Sequence, residues 1–210
     1  DNFILSKGHA VPALYSVLHG LDLINKKELL TFREIGTKLQ GHPDRTKLKY
    51  IELGTGALGQ GLSVSIGFAL ANIIKRSNKK SFCLVGDGEI QEGQIWEAAM
   101  YAGTHNLKNL CVILDNNKMQ NETHTKKTLD IMPLKEKWRA FKWNVLEING
   151  HSFSQISTSF KKFYSEQKKP TIIIANTIKG KGISFMENSP DWHSKILDKK
   201  SYILAKRELT

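Results

Sequence analysis

Four short runs in this chain are apolar almost from end to end: SFCLV (residues 81–85), LCVILD (110–115), NVLEI (144–148) and TIIIAN (171–176). They are too short for buried helices, and they are rich in the branched residues that suit strands. Between them lie QIWEAAMYAGTHN, PLKEKWRAF and SFSQISTSFKKFYSEQ, which carry helical periodicity. A strand that is apolar on both faces must be covered on both, and alternation with helices supplies that cover. The chain is therefore predicted to be α/β, a parallel sheet with helices on both faces. Further helices are expected over HAVPALYSVLHGLDL, KKELLTFREI, LSVSIGFALANIIKR and KSYILAKREL, whereas residues 36–61 read as irregular and glycine-rich. No repeat, low-complexity segment or linker breaks the pattern, so residues 1–210 are expected to form one domain.

In such sheets ligands bind beyond the carboxyl ends of the strands. The loops expected there are GDGEIQEG, NNKMQ, NGH and KGKG. Asp87 closes one strand and Asn116-Asn117 closes the next. If the two strands are neighbours, a carboxylate and an amide oxygen converge, and hard oxygen donors of low charge suit Mg²⁺. Gly86 and Gly88 let the backbone approach a diphosphate and offer it N–H groups. A Gly-Asp-Gly turn alone is common, but Gly-Asp-Gly, then 27 residues, then Asn-Asn is a much narrower signal.

Composition narrows the function classes. The net charge of +11 comes mostly from scattered lysine pairs, with no basic tail and no basic-aromatic signature of nucleic-acid binding. A solvated lysine-rich surface accounts for it, and an anionic substrate would profit from the field. No apolar run approaches the roughly 20 residues needed to span a bilayer. Cys83 and Cys111 lie inside apolar runs without metal-ligand spacing, which favours a reduced, cytoplasmic protein. The opening DNFILSKGH has no signal-peptide character, and the absence of an initiator Met points to a true N-terminus further upstream.

LSKGHAVPALYSVLH, GHPD, GTGALGQG, GDGEIQEG and the late WH, in that order, resemble the diphosphate-binding half of transketolase, from Asp1 to about Lys195. TIKGKGISFMEN followed by WH is similar to the N-terminal subunit of split transketolases. The resemblance implies thiamine diphosphate and Mg²⁺ as cofactors. The metal would be held by Asp87, Asn117 and the carbonyl of Met119. Gly86 and Gly88 would border the diphosphate; Gly56 and Leu58 would border the aminopyrimidine. His9 and His193 would serve both cofactor and substrate, and His42 would face the substrate's reacting hydroxyl. Glu92, with Glu97 beside it, would join a carboxylate network across a subunit interface. Glu89 falls in the cofactor-binding stretch and reads as a solvated charge at a helix start, where carboxylates are favoured.

Physical sense runs the same way. Proton transfers accompany ketol chemistry, and histidines near neutrality suit them. Pro43 biases His42 into a loop. His19, His105, His124 and His151 read as surface or core residues, and Trp96, Met100 and Tyr101 as core or subunit contacts. Three departures stand out. The family's earlier Ser-Gly-His element is not among these residues. Gln120-Asn121-Glu122-Thr123 replaces its Ile-Asp-Gly turn. The pyrimidine-binding half, which supplies the glutamate that activates the cofactor, has no counterpart in the 210 residues. The expected activity is transfer of a two-carbon ketol unit between sugar phosphates, with a separate pyrimidine-domain subunit in a dimer of heterodimers. A deoxyxylulose-phosphate-synthase-like carboligase and a non-catalytic cofactor-binding relative are the alternatives.

Overall fold

In the computed structural model, which describes residues 1–121 and 123–210, the four apolar runs form strands and a fifth joins them at the edge. In chain order they are β1 (Asn2–Leu5), β2 (Ser81–Gly86), β3 (Leu110–Asn116), β4 (Asn144–Asn149) and β5 (Thr171–Asn176). Their order across the sheet is β1-β2-β3-β5-β4, and every neighbouring pair is parallel. The register sets Gly86 beside Asp115, and Asn116 beside Asn176. All five carboxyl ends therefore open on one edge. After β3 the chain skips a place to β4 and returns through β5, and that reversal makes a crevice at the carboxyl edge.

The main helices are α1 (Val11–Gly20), α2 (Gln60–Ile74), α3 (Gly93–Thr104), α4 (Leu134–Ala140), α5 (Phe153–Ser165) and α6 (Lys199–Glu208). On one face of the sheet, Cys83, Val85, Val112, Leu114, Ile172 and Ile174 pack beneath Leu62 and Ile66 of α2, Ile95 and Ala99 of α3, and Trp138 of α4. The alternate residues face the other way. Leu5 and Leu84 meet Val11 and Tyr15 of α1, while Cys111 and Ile173 meet Phe163 of α5. Helices thus cover both faces, as the unbroken apolar strands require.

Three local expectations are corrected. NFIL, outside the four predicted runs, is β1. It is a short edge strand registered on β2, and it delivers Ser6 and Lys7 to the carboxyl edge. Of KKELLTFREI only Lys26–Leu29 is helical. Asn25 and Glu28 form a reciprocal cap at its start, but Thr31 Oγ1 then bonds the Glu28 carbonyl and Arg33 takes a left-handed backbone. Local side-chain bonds compete with the helix, and Leu29 and Phe32 turn into the cluster under α1. The loop after Asn117 contains a two-residue antiparallel hairpin, Met119–Gln120 with Thr123–His124, and a helical turn, Thr125–Thr128. Glu122, part of the departure noted above, lies outside the described residues.

One glycine is fixed by close approach. A Cβ at Gly103 of α3 would stand 1.7 Å from the Phe141 carbonyl oxygen. The same contact brings Trp143 Nε1 within 2.8 Å of the Ala99 carbonyl. Gly103→Ala is expected to lower unfolding free energy by on the order of 3 kcal/mol, since backbone has to move. Urea denaturation of the two chains measures it.

Candidate active site

Segments from six parts of the chain wall a cavity of about 490 Å³ at the carboxyl edge. Lys7 and His9 come from the turn after β1, and Leu58 from the turn before α2. Gly86, Asp87, Gly88, Glu89 and Glu92 follow β2. Asn117, Met119 and Gln120 follow β3, Lys179 follows β5, and His193 closes the rim. A second cavity, of about 600 Å³, adjoins it through Lys7, Asn117 and Lys179. Its floor is apolar, with Leu84, Ile113, Ile148 and Ile173, and the glycine turn does not reach it. The smaller cavity is the one that holds the chemistry.

Asp87 is 1% exposed. Its Oδ1 accepts from the Gly88 N–H at 2.8 Å, and its Oδ2 accepts from the Lys118 N–H. Burial outweighs those bonds and pushes its carboxyl up to about 6, with Asp115 adding to the push. A buried carboxylate that resists ionisation in this way calls for a counter-charge. Asn117 Oδ1 accepts from the Met119 N–H at 2.9 Å, which folds this turn tightly around the amide. Gly88 is required by space, because a Cβ there would stand 2.7 Å from Gln120 Cβ. Gly86 has ordinary clearance.

The same cavity carries cationic groups, Lys7 and Lys179. Lys7 Nζ pairs with Asp115 Oδ2 at 2.5 Å, 108 residues away in sequence. Burial acts to raise Asp115, but Lys7 and the Thr177 hydroxyl overcome it and hold its carboxyl below the usual range. Burial, then the nearby Lys7 charge, lowers Lys179. His9 and His193 lie with ring centroids 5.2 Å apart. Burial and the charges of Lys7, His193, His42 and Lys179 push His9 down to about 4. His9 is exposed overall, yet both influences act in one direction, so the imidazole is neutral at physiological pH. Burial, Lys179 and Lys7 lower His193 likewise.

Of the residues predicted from sequence, His9, Leu58, Gly86, Asp87, Gly88, Glu89, Glu92, Asn117, Met119 and His193 line this one cavity. Gly56 and His42 sit outside its wall, side by side, with the ring about 3.5 Å from where a Gly56 Cβ would be. The reading of Glu89 as a solvated charge is wrong. Its side chain is 2% exposed and bonded on three sides. It precedes α3 in sequence, but the fold brings Ser6 and Gly59 over it. Glu92 is exposed at the N-terminus of α3 and makes no side-chain cap bond there. Lys7 and Lys179 went unremarked in the sequence, although each stands inside a quoted motif, SKGH and IKGKG. A lysine beside a glycine turn at a strand end was the available signal.

The residues present fit a metal-bound diphosphate. Asp87 offers a carboxylate and Asn117 an amide oxygen in the same cavity, a hard pair for Mg²⁺, and Met119 lines the cavity beside them. Two lysines, Lys7 and Lys179, line the same cavity and suit an anion. Gln120 Oε1 is buried and unpartnered among the described residues, an acceptor left for a ligand donor.

All 210 residues match the family model for the transketolase thiamine diphosphate binding domain. Among curated proteins, the chain is 40% identical over 210 residues to an apulose-4-phosphate transketolase subunit of Phocaeicola vulgatus, covering 100% of this chain and 74% of that one. It is 41% identical over 209 residues to the 6-deoxy-6-sulfo-D-fructose transketolase subunit SqwG of Clostridium sp., covering 100% of this chain and 76% of that one. Among solved structures, a transketolase from Campylobacter jejuni superposes with a TM-score of 0.92 at 33% identity, over 100% of this chain and 34% of that chain. The chain thus spans about a third of that solved transketolase.

Proposed function

The chain belongs to the transketolase family, and we propose that it serves there as the diphosphate-binding subunit of a split, thiamine-diphosphate-dependent enzyme. The reaction is transfer of a two-carbon ketol unit from a ketose phosphate to an aldose phosphate. Residues 1–210 act as the diphosphate-binding domain, and a pyrimidine-domain subunit completes each site in a dimer of heterodimers. The observation that carries this reading is that Asp87, Asn117 and Met119 line one cavity together with Lys7 and Lys179. Two of the relatives are themselves named as transketolase subunits.

Asp87, Asn117 and the Met119 carbonyl hold Mg²⁺ on this reading, and Lys7 and Lys179 balance the remaining diphosphate charge. Asp115 fixes the Lys7 ammonium at the carboxyl edge of the sheet. When bound, thiamine diphosphate supplies the nucleophilic carbon and the electron sink for carbon–carbon cleavage. The chain's own contribution to proton movement lies with its imidazoles. His9 and His193 are neutral, so each has a ring nitrogen free to accept a proton from a substrate hydroxyl. His42 stands one step further out against Gly56, where the donor's hydroxyl end would enter. Leu58 shields the cofactor side from water. No helix in the described residues is long and apolar enough to cross a membrane. The two buried free thiols fit a reducing compartment, the cytoplasm.

Calorimetric titration of the chain with thiamine diphosphate, with and without Mg²⁺, tests the assignment; binding that ignores Mg²⁺ would sink it. His42 supplies a further check. With the partner present, His42→Ala is expected to lower kcat/KM by about 10²-fold, in the range of a lost proton-transfer group. Cofactor affinity should stay within about twofold. Equal, small effects on both quantities would make His42 structural.

A further inference from the structure

Three loops have to hold a fixed relation for this site to exist: the turn after β1, the turn before α2 and the glycine turn after β2. Each ends on a backbone or hydroxyl donor that points at one carboxylate. Glu89 Oε1 accepts from Ser6 Oγ at 2.5 Å and from the Gly59 N–H at 2.8 Å. Its Oε2 accepts from the Gly86 N–H at 3.1 Å. Ser6 Oγ in turn accepts from the Gly61 N–H at 3.1 Å.

These bonds solve a specific difficulty. Gly59 is the N-cap of α2, with φ +83°, and it has no side chain with which to satisfy the helix's first N–H groups. The first N–H groups of a helix need acceptors, and its positive end favours a negative charge. Glu89 and Ser6 supply both from segments distant in sequence. The packing leaves no alternative filler, since a Cβ at Gly61 would stand 2.4 Å from Ser6 Oγ. The residues next to the bonded groups are the functional ones: Lys7 follows Ser6, Leu58 precedes Gly59, and Asp87 follows Gly86.

We propose that Glu89 is a positioning residue that sets the cofactor site by tying the β1 turn, the N-terminus of α2 and the β2 turn to a single carboxylate. Both of its carboxylate oxygens are taken up by these donors. The inference rests on the functional reading above, because the affinity it governs is that for thiamine diphosphate with Mg²⁺.

Glu89→Gln keeps the shape but turns an NH₂ donor toward N–H or O–H donors. The full chain carrying it is expected to bind thiamine diphosphate with Mg²⁺ at least about tenfold more weakly, the scale of a lost supporting shell. In the ligand-free chain, amide exchange at Gly59, Gly61 and Gly86 should accelerate about tenfold or more, while Ile173 in the centre of the sheet keeps its wild-type rate. Ser6→Ala removes only the hydroxyl bridge, and about a threefold loss of affinity is expected from one such bond. It carries the same comparison should Glu89→Gln fail to fold. Affinity within twofold of wild type, with unchanged exchange at the three glycines, would overturn the proposal. So would uniformly faster exchange with unaltered affinity, since that marks a merely structural acid. A wild-type chain that does not bind thiamine diphosphate with Mg²⁺ overturns the functional reading itself, an outcome distinct from equal binding by wild type and variant.

Discussion

Asp87→Asn is expected to weaken Mg²⁺-dependent binding of thiamine diphosphate by at least about a hundredfold, equivalent to roughly 3 kcal/mol. It removes the only carboxylate in the proposed metal set, leaving neutral oxygens to hold a divalent ion. The same change is expected to leave the ligand-free chain no less stable at pH 8. Burial raises the Asp87 carboxyl from 3.8 to about 6. A carboxyl raised on folding contributes stability that is fully present below its unfolded value. That contribution is lost as pH rises through the folded value. Between pH 4 and pH 7 the metal-free chain therefore gives up about 3 kcal/mol at this one residue, at 1.36 kcal/mol per pH unit. Asparagine escapes that penalty, although its NH₂ meets the Lys118 or Gly88 N–H poorly. Thermal unfolding should therefore show Mg²⁺ with cofactor raising the melting temperature of wild type far more at pH 8 than at pH 5. The variant should show no such rise at either pH. A variant that still responds to Mg²⁺ as wild type does would move the metal away from Asp87.

The sheet was legible because three of its strands are apolar on both faces, a pattern with one economical solution. β1 was not, since NFIL is four residues long and merges into SKGH; only registration on Ser81–Leu84 makes it a strand. The nearness of Asp87 and Asn117, the proposed metal residues, was legible because each sits at the end of a visible strand and β2 and β3 are neighbours. Pairings across long sequence gaps were hidden. Lys7 meets Asp115, and Ser6 meets Glu89, only after the sheet order is fixed. Glu89 was misread for that reason: a carboxylate before a helix looks solvated until two other segments close over it. Trp96 illustrates a division that sequence spacing left open. It packs on Trp138 and Phe141, whereas Met100 and Tyr101 of the same helix remain exposed.

That exposed side of α3 bears on the last expected result. The 210 residues, assayed alone with a ketose phosphate donor, an aldose acceptor and saturating thiamine diphosphate with Mg²⁺, should give no measurable carbon–carbon cleavage. The family resemblance assigns cofactor activation to a glutamate from the pyrimidine-binding half. The carboxylates in and beside this cavity are otherwise engaged: Asp87 accepts from the Gly88 and Lys118 N–H groups, Asp115 is paired with Lys7, and Glu89 is tied to three donors. Among the described residues that line the cavity, Glu92 is the exposed carboxylate without a side-chain cap bond, and it stands at the start of α3. Adding a pyrimidine-domain subunit should restore turnover, from background to about 1–10³ s⁻¹, the ordinary enzymatic range. The contact should take in the Glu92 turn together with Met100 and Tyr101, at the large apolar area of an obligate assembly. Charge reversal at Glu92, to Lys, should then raise the partner concentration needed for half-maximal activity. Robust turnover by the isolated chain would show that an activating carboxylate lies within these residues, and would overturn the division of labour between the two subunits.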